Sequence, residues 1–184
     1  MTDNIEPTDA ADPAGTRIVW QGKFITAKVN GPWEFVGRAR GIRAVVILAV
    51  DAENHVILVE QYRVPLGRVC IELPAGLIGD EAHFSGEDAM MAAARELEEE
   101  TGYRAAHLEL IGEFWSSPGM VSESYTLVKA HGLTRVGQGG GADGENITVH
   151  RVPVSHIQAF IEGRRDRGDA IDGKLLLVLG PQIL

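Results

Sequence analysis

A chain of 184 residues with 45% hydrophobic side chains is long enough to bury one sizeable core, and that length favours a single domain. Acids outnumber bases 26 to 17, and the resulting net charge of −9 argues against a partner such as nucleic acid, whose binders usually present a basic face. The single cysteine, Cys70, excludes an internal disulfide; between Val69 and Ile71 it is expected to be a buried thiol, which fits a reducing cytoplasm.

In chain order, residues 1–15 contain Asp3, Glu6, Pro7 and Pro13 and no apolar run, so a disordered tail is expected rather than a secretory signal. Nowhere do eighteen consecutive apolar residues occur, and no membrane association is expected. Residues 17–29 and 33–40 read as strands divided by Asn30-Gly31-Pro32; residues 44–50 and 55–61 read as strands joined through residues 51–54. A helix comes next. Ser85 with Asp88 three residues later forms a capping-box start, with Asp in place of the usual Glu, and Gly102 suits the left-handed position after the last turn. Met90, Ala93, Ala94, Leu97 and Thr101 keep helical spacing and predict the core-facing stripe. Residues 108–114, 125–131 and 147–152 continue the strand pattern. Ser155 is placed to cap a helix running to about Arg167, and a short helix is expected over residues 173–179. The fold class is α/β: a mixed sheet between helices in an α/β/α sandwich, preceded by antiparallel strands. No internal repeat is visible.

The chemistry concentrates in the long helix. Glu96, Glu99 and Glu100 lie three and four residues apart and share a flank, whereas Glu98 faces away and is expected to be solvated. Three clustered carboxylates make a hard oxygen site, the kind that holds Mg²⁺ against the phosphates of a substrate. Arg95, four residues before Glu99, is placed to pair with it and fix its geometry. Taken alone, such an acidic run is most often a solvated helix face.

Its context decides otherwise. Glu87, seven residues, then Arg95-Glu96-Leu97-Glu98-Glu99-Glu100-Thr101-Gly102-Tyr103 resembles the signature of the Nudix hydrolases, which cleave nucleoside diphosphates linked to another group. The chain departs from that pattern at one place. The glycine usually found six residues before the first glutamate is Glu81 here, so Gly76 is its counterpart and residues 77–86 are expected to form a loop lengthened by five residues. Pro118, sixteen residues after Gly102 within Ser116-Ser117-Pro118-Gly119, is similar to the ADP-ribose pyrophosphatase subgroup, as are Glu60-Gln61-Tyr62-Arg63 and Glu72-Leu73-Pro74-Ala75-Gly76. Without the helix motif, Pro118-Gly119 would read as an ordinary turn.

This resemblance implies Mg²⁺-dependent hydrolysis of ADP-ribose or a related nucleoside diphosphate sugar, with Mn²⁺ as a possible substitute. It implies metal ligands at Glu96, Glu99, Glu100 and the backbone oxygen of Ala75, and substrate contacts at Arg63, Arg38, Trp33, Pro118 and Gly119. Catalytic roles fall to Glu99, Arg95 and a loop carboxylate that activates water. Glu123 is the expected base, standing where the subgroup carries such a residue, and Glu145 is its rival. The resemblance also implies a homodimer in which the strands of residues 17–40 cross to the partner. Two other readings stay open: a Nudix hydrolase of nucleoside triphosphates or capped nucleotides, and a Nudix-like ligand sensor without catalysis. Arg63 can also be a strand-surface charge, and Trp33 can either pack on its strand or stack on a base in a partner's cleft.

Other features read as ordinary. The glycine-rich residues 137–144 lack a following Gly-Lys-Ser/Thr and open no helix, so a flexible surface loop is expected there. Histidines at 55, 83, 107, 131, 150 and 156 lack metal-ligand spacing.

Overall fold

The computed structural model describes residues 15–39, 42–78, 87–142 and 144–183. Strands β1 (Arg17–Gln21), β2 (Ile25–Asn30) and β3 (Trp33–Arg38) form an antiparallel three-stranded sheet of their own. There follow β4 (Arg43–Ala49), β5 (His55–Arg63), β6 (Arg68–Glu72), β7 (Ala75–Ile78), α1 (Ala89–Thr101), β8 (Tyr103–Arg104), β9 (His107–Trp115) and β10 (Ser124–His131). The chain ends with β11 (Thr134–Arg135), β12 (Thr148–Pro153), α2 (Ile157–Asp166), β13 (Ala170–Ile171) and α3 (Leu176–Ile183).

Two mixed four-stranded sheets carry the body, in the orders β7-β4-β10-β9 and β12-β5-β6-β13; β10 runs parallel to β4 and β13 parallel to β6. The period of two along a strand sorts their side chains into two cores. Val45, Ile47 and Ala49 of β4 meet Ala92, Ala93 and Leu97 of α1. Val46 on the opposite face joins Val56, Leu58 and Ile71 against Ile157 and Ile161 of α2 and Leu175. Helices therefore cover both sides, and the α/β/α layering expected from the sequence is the observed one. Truncating Leu97, which has no exposed surface, to alanine would cost about 2–5 kcal/mol.

Several boundaries differ from expectation, each for a local reason. Residues 17–29 are two strands, because a turn closed by Gly22 N–H to Ile25 O at 2.9 Å folds β1 back on β2. β6 and β7 occupy residues read only as motif, and Leu77 and Ile78 pair with Ala44 and Arg43 instead of opening a loop. Residues 79–86, including His83 and Ser85, lie outside the described residues, as does the expected tail up to residue 14. Asp88 itself caps α1, accepting from the N–H groups of Met90 and Met91 at 2.9 and 2.8 Å, so the helix starts after it. Ala92 is buried where Ala94 was expected; Ala94 is exposed. Ser155 sits in a 3₁₀ turn, and α2 begins at Ile157 with no side-chain cap. Gly102 does close α1 as expected, at φ 71°, a conformation that strains any side chain.

Candidate active site

Helix α1 presents Glu96 and Glu100 to a cavity of about 350 Å³ between β7, the end of β5, and the segments carrying Glu123, Glu145 and Lys174. Seven expected residues line it: Arg38, Arg63, Ala75, Glu96, Glu100, Glu123 and Glu145. Gly76, the expected counterpart of the motif glycine, lies directly against Glu96. A Cβ on it would lie 1.9 Å from the Glu96 carboxyl carbon, so the Glu96 side chain occupies space that glycine leaves open.

Glu100 is only 5% exposed, and Ala75 N–H donates to its Oε2 at 3.0 Å. Burial pushes its carboxyl up to about 8; the Ala75 N–H works against this, and the nearby Glu96 and Glu145 charges add to it. Glu96 is also raised above the usual carboxylate range, first by burial, with the Glu99 and Glu145 charges adding to the effect and Arg95 opposing it. These acids repel one another, and a divalent cation among them would relieve that strain. Hard carboxylate oxygens that destabilise each other when ionised are a fitting donor set for Mg²⁺. Among the described residues, no three such side chains already surround a single metal position.

Arg95 is the main hydrogen-bond partner of Glu96 and Glu99. Its Nη1 donates to Glu96 Oε1 at 2.8 Å and Glu99 Oε2 at 3.1 Å, its Nε and Nη2 reach Glu87 at 3.1 Å, and Nη2 also reaches the Leu77 carbonyl. Burial opposes its charge, but Glu87 and Glu96 outweigh burial and hold the guanidinium well above its usual range. The expected Arg95–Glu99 pair is present. Glu99 nevertheless stands at the rim, its side chain 47% exposed, and does not line the cavity. Glu98 faces away, as expected, and meets Arg104 through two bonds of 2.9 and 2.8 Å.

The two candidate bases differ in their attachments. Glu123 accepts from Arg38 Nε at 2.6 Å and from the Ser116 hydroxyl at 3.3 Å, so both of its oxygens are engaged. Glu145 accepts from Ala142 N–H at 2.8 Å, and its charge is felt by both Glu96 and Glu100. Arg63 lines the cavity while bound through Nε and Nη2 to Glu72 at 2.6 and 2.9 Å; this pairing raises its guanidinium above the usual range. Trp33, Pro118 and Gly119 are elsewhere. With Phe35 and Val121 they line a separate depression of about 470 Å³, and Trp33 is 61% exposed.

Sequence reasoning missed Lys174, Glu72, Gln61, Ser116 and Tyr125, which also line the cavity. Glu72 was legible as the acid preceding Pro74-Ala75-Gly76. Lys174 carried no local signal: it arrives from the far end of the chain, ion-paired to Asp172 and with Nζ 5.8 Å from the Tyr125 ring centroid.

The layered fold and the helix motif from Glu87 to Gly102, which brings Glu96 and Glu100 to this cavity, define a Nudix hydrolase, and residues 40–173 match the family described as NUDIX domain; the chain belongs to that family. Over 157 residues it is 41% identical to the methanol dehydrogenase activator of Bacillus methanolicus, covering 82% of each chain. It is also 37% identical over 122 residues to the ADP-ribose pyrophosphatase of Bacillus subtilis, spanning 66% of this chain and 63% of that protein. Among solved structures, an ADP compounds hydrolase shares the fold with a TM-score of 0.61 over 80% of each chain, at 24% identity. No helix among the described residues is long and apolar enough to cross a membrane.

Proposed function

We propose that this chain hydrolyses the pyrophosphate bond of ADP-ribose or a related nucleoside diphosphate sugar, giving a nucleoside monophosphate and a sugar phosphate, in the cytoplasm. The observation that carries the reading is the gathering of Glu96, Glu100 and Glu145 in the lining of a cavity that also holds Arg38, Arg63 and Lys174. Acids suited to a metal and cations suited to phosphate oxygens then share one ligand-sized space. The name of the Bacillus subtilis relative points to the same substrate class.

Mg²⁺, or Mn²⁺ in its place, held by Glu96, Glu99, Glu100 and the Ala75 carbonyl oxygen, would supply the charge neutralisation that a diphosphate needs. The protein's own groups do the rest. Arg95 positions Glu96 and Glu99. Arg63, fixed by its fork to Glu72, offers Nη1 to a phosphate oxygen. The base is assigned to Glu145, which takes a proton from the attacking water at its carboxylate. Its neighbourhood with Glu96 and Glu100 supports this choice over Glu123, the reverse of the order expected from the sequence.

We also propose a homodimer. The N-terminal sheet and its first turn expose Trp20, Phe24 and Trp33, and the edge strand β9 exposes Leu110, Ile111 and Trp115, apolar side chains that a second copy could cover. In such an assembly the depression holding Trp33, Pro118 and Gly119 would complete the partner's site, with Trp33 stacking on a base. Light scattering at assay concentration should give twice the chain mass; a fully active monomer rules the dimer out.

A panel of nucleoside diphosphate sugars, nucleoside triphosphates and capped nucleotides, with products identified, tests the substrate class. Turnover confined to the last two moves the chain to a different Nudix activity, and binding without turnover makes it a sensor. A second reading, favoured by 41% identity over 82% of the chain to a methanol dehydrogenase activator, is that the chain also activates a dehydrogenase. Adding it to such an enzyme and measuring the dehydrogenase rate tests this directly.

A further inference from the structure

Residues 137–142 of the glycine-rich segment do not hang free. Gly137 N–H donates to Gly102 O at 3.1 Å, Gly140 N–H to Glu100 O at 2.9 Å and Gly141 N–H to Glu99 O at 3.0 Å. The last carbonyls of a helix have no partner within the helix and usually turn to water. Here the loop supplies the donors, and two of the acceptors belong to the residues that carry the active-site acids. The far end is bonded as well: Ile147 N–H reaches Gly140 O at 3.1 Å, Glu145 N–H reaches Ala142 O at 3.1 Å, and Glu145 Oε2 accepts from Ala142 N–H at 2.8 Å.

The glycines are required by this path. Gly139 has φ 71°, and a Cβ there would stand 2.5 Å from the Thr101 carbonyl carbon and 2.6 Å from Glu100 O, both backbone atoms that cannot move aside. A Cβ on Gly141, at φ 78°, would fall 2.3 Å from Glu145 Oε2. By contrast, Gly137 has an ordinary φ and would bring a Cβ no nearer than 3.8 Å to Gly102.

We propose that Gly139–Gly141 form a rigid strap that caps α1 and holds the Glu145 carboxylate at a fixed place beside Glu96 and Glu100, making Gly139 and Gly141 positioning residues for hydrolysis. The proposal rests on the assignment of Glu145 as the base. Where composition alone suggests a flexible surface loop, the hydrogen bonds to α1 put this stretch in place beforehand. The physical reason is the tolerance of proton transfer: a base displaced by about 1 Å costs on the order of 10²-fold in rate.

The experiment compares Gly139→Ala, Gly141→Ala and Gly137→Ala, each alone and combined with Glu145→Gln, in the full chain. Gly139→Ala should lower kcat about 10²-fold with KM nearly unchanged, Gly141→Ala should also lower kcat, and Gly137→Ala should stay near wild type. In the Glu145→Gln background the Gly139→Ala loss should vanish, because a strap acting through Glu145 has nothing left to misplace. An equal loss in both backgrounds overturns the proposal, since the glycine then acts on the helix alone. Amide hydrogen exchange on the wild type reads the strap without turnover: Gly140 and Gly141 should be protected like α1, and exchange at the rate of an open loop refutes the strap even if Gly139→Ala does not fold. If the two amides are protected but Glu145→Gln keeps full activity, it is the Glu145 assignment that fails.

Discussion

Two acidic segments reach the same cavity from different mounts. The segment ending at Glu123 is bonded to the N-terminal sheet: Val36 N–H reaches Met120 O, Ser122 N–H reaches Val36 O, and Arg38 of β3 holds the carboxylate. The segment leading to Glu145 is bonded to the end of α1. A carboxylate mounted on the helix that bears Glu96 and Glu100 keeps its distance from them whatever the N-terminal sheet does. Glu123 instead follows that sheet, whose exposed apolar surface suits a dimer contact. Position relative to the acids, more than residue type, separates the two.

Substitution at these two acids tests that comparison and carries the largest expected effect. Glu145→Gln should lower kcat by about 10²–10⁴ with little change in KM, the usual cost of a lost general base. Glu123→Gln breaks a partly exposed pair with Arg38, an interaction typically worth about 1 kcal/mol or less, so its loss should be under about tenfold. Steady-state kinetics on both variants decide the matter, and the opposite ranking returns the role to Glu123.

Next in size, Glu100→Gln should reduce turnover by roughly 10²–10³ while the fold survives, since one oxygen still accepts from Ala75 N–H. Circular dichroism alongside the assay checks both halves. Trp33→Ala should have a smaller effect, raising KM several-fold only if the depression it lines serves a partner's site. An unchanged KM in a demonstrated dimer removes Trp33 from substrate binding.

The smallest effect is on stability. In chelator, the folded chain keeps the Glu100 proton up to about pH 8, whereas the unfolded chain releases it near the ordinary value of 4.5. Across that window the folded state binds more protons, so raising the pH lowers stability. Melting temperature should therefore fall from pH 5 to pH 8, and Glu100→Gln should flatten the slope. A slope identical in both proteins contradicts the burial of that charge.

The sequence made legible what depends on local order. Helix α1 and its acids follow from propensity, the Gly102 cap and three-to-four spacing, and the Arg95–Glu99 pair follows from the same spacing. It concealed what folding brings together. Lys174 reaches the cavity through the last turn before α3, and nothing near it in the chain signals that. β6 and β7 are short strands on either side of Pro74, too brief for alternation to show. The glycine-rich segment read as a flexible loop because composition reports the freedom of a chain, and the bonds to Glu99 and Glu100 that remove this freedom come from a helix some forty residues earlier.

The proposed metal-dependent pyrophosphohydrolase activity rests on Glu96 and Glu100 of α1 and on Glu145 around this cavity. Incubating the purified chain with ADP-ribose and Mg²⁺, with and without EDTA, and identifying the products tests it most directly. AMP and ribose 5-phosphate in equal amounts, abolished by EDTA and restored by Mg²⁺ or Mn²⁺, is the expected result. Full activity in EDTA, or no AMP with any metal, would contradict it.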